Sequence, residues 1–158
     1  MHPAVRLLAG VLTGLSTVSC AGSGAEASHG PPYAGSDFAR LRWLEGTWRG
    51  MGAGQPAFFE GYRFISDTSV RILYYADSTL SIVADSGSVL LANGQIEHRA
   101  GGGLWAATWV SPDSAVFAPK AAVTNSFSWV RAAADSWTAI LRTPGHPDVV
   151  YQLVSWRP

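Results

Sequence analysis

The chain has 158 residues, and its 11 Lys and Arg balance 11 Asp and Glu, so the formal net charge at pH 7 is zero. The basic residues form no stripe, which argues against nucleic-acid binding, because phosphate contacts need clustered Lys and Arg. Charged residues make up only 14% and hydrophobic ones 47%, a balance that suits one well-buried domain and excludes a highly charged, disordered chain.

Residues 1–19 combine a short basic start (His2, Arg6), the apolar run LLAGVLTGL and small residues before Cys20. That order reads as a secretory signal peptide, and the apolar run is too short to span a bilayer. Cys20 is the one cysteine in the sequence, so no intramolecular disulfide is expected. A cysteine after Thr17-Val18-Ser19 resembles the lipobox of bacterial lipoproteins, in which that cysteine is lipidated after cleavage; Thr17 stands where the pattern usually has Leu. The resemblance implies an exported protein held by a diacylated Cys20 at the periplasmic or outer face of a bacterial envelope. The competing reading is a plain signal peptide with an incidental cysteine. Residues 20–36 are small, polar and rich in Gly, Ser and Pro, and are expected to form a flexible tether. His29 lies in that tether and is assigned no role. The folded domain is expected over 37–158.

Ser36 is the expected N-cap of a short helix, with Asp37 at the positive end of its dipole. Phe38, Leu41 and Leu44 recur at helical spacing, and Gly46 is the expected stop. From Thr47 the period changes from 3.6 to 2. Strands are expected from Thr47, at 58–65, 70–75, 79–84, 88–92, 95–100, 104–110, 115–118, 125–131, 137–142 and 149–157. Between them stand turn residues, among them Asp85-Ser86-Gly87, Gly101-Gly102-Gly103, Ser111-Pro112-Asp113 and Pro144-Gly145. Asn93-Gly94 is a two-residue type I′ hairpin signal. With no further helical crossover segments, a parallel sheet is not expected. The fold class is therefore all-β: an antiparallel up-and-down barrel of about 8–10 strands with one short N-terminal helix, closed so that no edge is left bare.

Several strands are apolar on both faces, as at Phe58/Phe59 and over 105–109. Either the interior is solid and the helix covers an outer patch, or the barrel holds a cavity lined by aromatics and a few polar groups. Glu60 matters most, because its neighbours on one strand face, Phe58, Tyr62 and Phe64, are all aromatic. Facing inward it would be desolvated and its pKa raised; facing outward it would be solvated. The candidate ligand-binding residues are Glu60, Tyr62, Tyr74, His98, Trp109 and Trp129.

Leu44-Glu45-Gly46-Thr47-Trp48-Arg49-Gly50 resembles the opening of calycin-type barrels: lipocalins begin their first strand with Gly-x-Trp, and uncharacterised bacterial lipocalin-like families with Leu-x-Gly-Thr-Trp. Glu60-Gly61-Tyr62 is similar to an acidic-aromatic segment that follows in those families. The resemblance implies that Trp48 packs across the barrel floor with a late-strand arginine, Arg142 or Arg157, stacked over it. Nitrobindins share the opening motif, but the histidine-bearing segments that build their haem pocket have no counterpart here.

Gly-x-Ser-x-Gly, His-Glu-x-x-His, Cys-x-x-Cys and phosphate-cradling loops are all missing from the sequence. Enzymatic activity, a resident cofactor and a metal site are accordingly not expected. Three functions are weighed: a lipid-anchored envelope protein binding a small apolar or amphipathic ligand; a structural or interaction protein of the envelope with a solid barrel; and, more weakly, a haem or metal binder using His98 or His146.

Overall fold

The helical segment and the first strand meet at Gly46, whose φ of +144° lies where a side chain is disfavoured. The computed structural model describes residues 30–158; the signal-like segment, Cys20 and the tether as far as His29 lie outside them. After Gly46 come ten strands: β1 (Gly46–Gly52), β2 (Gln55–Ser66), β3 (Ser69–Tyr75), β4 (Val83–Ala92), β5 (Gln95–Ala100), β6 (Gly103–Val110), β7 (Ser114–Ala121), β8 (Ser126–Ala133), β9 (Ser136–Arg142) and β10 (Val149–Ser155). Each pairs antiparallel with the next, and β1 pairs with β10, closing an up-and-down barrel. Closure satisfies every strand edge, as the short turns and repeated period-2 segments require. Asn93 and Gly94 make the expected tight turn, both with positive φ (51° and 72°).

One end of the barrel is plugged. Helix α1 (Gly35–Ala39) runs into a 3-10 turn (Arg40–Leu44), and Phe38, Leu41 and Leu44 are fully buried against the barrel core. The first cap differs from expectation. Ala34, not Ser36, is the N-cap, and Asp37 reaches back so that its Oδ2 accepts the Ala34 N–H at 2.8 Å. Asp37 is itself buried, so Asp37→Ala should lower stability by about 1–2 kcal/mol in urea unfolding. Of the tether, residues 30–36 are described. Tyr33 is buried there, and its N–H donates to the Gly94 carbonyl at 2.8 Å.

Trp48 locks plug to barrel by a route other than the expected one. Its Nε1–H donates to the Leu44 carbonyl at 2.7 Å, and its ring meets Trp137 edge-to-face at 6.1 Å. Neither Arg142 nor Arg157 stacks on it. Arg142 lies at the end of β9, bonded to Ser128 Oγ and paired with Asp148, and Arg157 is exposed beyond β10. The arginine that fastens this end is Arg63, whose guanidinium donates to the Gly46 carbonyl at 2.8 Å and to Thr47 Oγ1 at 2.9 Å.

Residues 79–92 also fold differently from expectation. In place of a strand at 79–84, a turn and the separate strand 88–92, β4 runs unbroken from Val83 to Ala92, pairing through Asp85, Ser86 and Gly87 with β3. Gly87 is there for close approach: a Cβ would stand 2.7 Å from the Arg99 carbonyl oxygen and 3.1 Å from the Tyr74 hydroxyl.

Candidate functional site

Strand alternation assigns the interior. The register sets Trp48 opposite Glu60, Glu60 opposite Tyr74, and Tyr62 opposite Ile72, so these side chains share the inner face. Continuing round the barrel, His98 pairs with Trp105, Phe117 with Phe127, Trp129 with Ala139 and Trp137 with Leu153. The plug fills the end where β1, β3, β5, β7 and β9 begin. Toward the other end the interior is not filled: a cavity of about 300 Å³ is lined by Phe58, Glu60, Tyr62, Tyr74, His98, Trp105, Asn125, Phe127, Trp129, Trp137, Ala139, Leu141, Tyr151 and Leu153. Its open end is ringed by loops 76–82, 122–125 and 143–148. Phe58 can lie along the wall because Gly50 faces it; a Cβ there would stand 2.1 Å from the Phe58 ring.

Of the residues singled out in the sequence, Glu60, Tyr62, Tyr74, His98 and Trp129 come together on this cavity. Trp109 does not. It is 42% exposed on the outer face, while Val110 is buried. A register shift between Ala107 and Trp109 inserts one residue into β6 and reverses the alternation. Simple alternation from Trp105 and Ala107 would send Trp109 inward, and nothing in the residue types announces the bulge. Trp105, Phe127, Trp137 and Tyr151, which are not among the candidates the sequence offers, also line the cavity. Phe127, Trp137 and Tyr151 each share a strand face with another lining residue, and period-2 counting from Trp129, Ala139 and Leu153 respectively finds them.

The site's electrostatics follow from burial. Tyr62 donates its hydroxyl to Glu60 Oε2 at 2.9 Å. Glu60 is accessible only in part, on a wall otherwise apolar and aromatic, and loss of solvation raises its pKa from 4.5 to about 7, the Tyr62 bond offsetting part of the rise. Burial, reinforced by Glu60, lifts the Tyr62 and Tyr74 phenols above their ordinary range, so both stay protonated. His98 is boxed by Trp105, Phe127, Trp129 and Phe117, with ring centroids 5.2–6.1 Å away. Burial pushes its pKa down to about 4, and its Nδ1 has no hydrogen-bond partner among the described residues. It is a neutral imidazole at physiological pH.

Among the described residues no Lys or Arg lines the cavity. Among the described residues no three His, Cys, Asp or Glu side chains gather as metal ligands, and His146 lies exposed on the 143–148 loop, apart from His98. No described helix is long and apolar enough to cross a membrane. What the arrangement can do is enclose a small, mainly apolar molecule and offer one carboxyl group and two phenols at one wall.

No family model and no curated protein matches the chain. Among solved structures it is similar to a redesigned beta barrel, at a TM-score of 0.38 and 10% identity, over 75% of this chain and 96% of that one.

Proposed function

We propose that this protein is a lipid-anchored, lipocalin-like envelope protein that binds a small amphipathic molecule inside its barrel. The observation that carries the reading is the aromatic cavity of about 300 Å³ with the Glu60 carboxyl group on its wall. Side chains from ten strands leave that space open although the plug end is fully packed, and an apolar cavity with a few convergent polar groups is the usual form of a small-ligand site. Support for the lipocalin-like character comes from the Leu44–Trp48 opening motif at the plugged end. Support for the anchor comes from the order of basic start, apolar run, small residues and Cys20.

The ligand enters at the end opposite the plug and lies against Trp129, Trp137 and Tyr151, with its polar group toward Glu60. The test is titration of the full chain with small alkylbenzenes, read by tryptophan fluorescence, since Trp105, Trp129 and Trp137 all line the space. Ala139→Phe projects a ring into the cavity and should weaken binding at least about tenfold while the barrel stays folded. Leu141→Trp, nearer the mouth, is the companion variant. Saturable binding that both variants leave unchanged would move the site off the interior.

A further inference from the structure

Resting on the reading of the cavity as a ligand site, we infer that its ligand is a monovalent organic cation: a protonated amine on a flat apolar body. The ammonium sits against Glu60, and the body lies between the aromatic walls. The geometry asks for such a ligand in three ways. First, Glu60 Oε2 is taken by Tyr62, but Oε1 accepts no hydrogen bond from the described residues. Second, the arginines nearest in sequence and register all point outward: Arg49 lies over Trp156, Arg63 binds the Gly46 carbonyl and Arg99 pairs with Glu97. Among the described residues, therefore, no cation faces the acidic group on the cavity wall, and a buried carboxylate without a counter-charge is costly. Third, Trp129, Trp137, Tyr62 and Phe127 surround the space, and ring faces attract cations, tryptophan most of all.

A neutral ligand would bury Glu60 further without compensating it, and an anionic one would be repelled. A cation supplies the missing charge and donates a charge-assisted hydrogen bond to Oε1. The titratable groups facing Glu60 are Tyr62 on its own strand, Tyr74 from β3, His98 from β5 and Tyr151 from β10; Asp85 of β4 lies opposite Tyr74 at the exposed rim. Of those shifted by burial, the two phenols stay protonated and His98 stays neutral above about pH 4, which leaves Glu60 to change charge near neutrality. Cation binding thus expels a proton below about pH 7 and tightens as pH rises.

Three probes of one shape separate the cases: 2-phenylethylammonium, propylbenzene and 3-phenylpropionate, each titrated into the full chain by tryptophan fluorescence and calorimetry. At about pH 8 the cation should bind at least about tenfold tighter than propylbenzene, with the anion weakest, and the margin should shrink near pH 5.5. Glu60→Gln should erase the margin between the cation and propylbenzene. If propylbenzene binds as well as the cation in the wild-type chain, or Glu60→Gln keeps the margin, the cationic assignment falls and the cavity reading stands. If none of the three binds, both fall. The wild-type comparison decides without any variant, so a poorly folding Glu60→Gln does not block the test.

Discussion

Trp137→Ala should lower the stability of the barrel by about 3–5 kcal/mol, the largest loss expected from any single truncation of the interior. Trp137 is 2% exposed and is the hub between plug, floor and cavity. Its ring meets Trp43, Trp48, Tyr62 and Trp129 edge-to-face at centroid separations of 5.7–6.1 Å. Truncation removes the transfer energy of an indole, those four ring contacts and the support under the 3-10 turn, and it enlarges a cavity that already exists. Its Nε1–H has no partner among the described residues. Trp137→Phe therefore loses little hydrogen bonding and should cost less than half as much, about 1–2 kcal/mol. Trp109→Ala is the control: on the outer face it should cost no more than about 1 kcal/mol. Urea unfolding of the three variants checks the ordering, and a Trp109→Ala loss equal to that of Trp137→Ala would mean that the bulge in β6 is misplaced.

The second large effect is one that the wild-type chain conceals. Glu60 has a folded pKa of about 7 against 4.5 unfolded, so the folded state holds its proton more tightly, and stability is lost as pH rises through about 7. His98 has a folded pKa of about 4 against 6.5 unfolded, so its contribution is present above 6.5 and lost as pH falls toward 4. Between about pH 4.5 and 6.5 the two slopes oppose each other and are similar in size, roughly 2–3 kcal/mol each after allowing for partial solvent access to the cavity. The wild-type profile in this window should therefore be nearly flat in their joint contribution. Glu60→Gln should uncover a rise of about 2–3 kcal/mol between pH 4.5 and 6.5, and His98→Phe a fall of similar size between 4.5 and 7. Glu97 and Asp77, whose carboxyls are held low by hydrogen bonds, act alike in all three chains, so the comparison is variant minus wild type. Three parallel profiles would place Glu60 and His98 in water rather than on the cavity wall.

These effects trace back to features that the sequence carries unevenly. Period-2 alternation sets Glu60 among aromatics on one strand face, and the register with Trp48 and Tyr74 makes that face the interior. The helix-to-strand switch at Gly46 was equally legible, because a change of hydrophobic period and a glycine coincide there. Three features were not legible. The β6 bulge turns Trp109 outward through one inserted residue of no distinctive type. Asp85-Ser86-Gly87 has turn composition yet lies inside a strand, because Gly87 answers a close approach from β5 that only the folded barrel creates. The arginine at the floor is Arg63 rather than Arg142 or Arg157, a choice set by which outward side chain reaches the Gly46 carbonyl across β1 and β2.

That the barrel encloses a ligand is tested most directly by native mass spectrometry of the purified protein in mild detergent. A second species is expected, heavier by one small molecule, that is lost in Ala139→Phe and displaced by 2-phenylethylammonium. A single species of the chain's own mass in both proteins, unchanged by added amine or alkylbenzene, would contradict it.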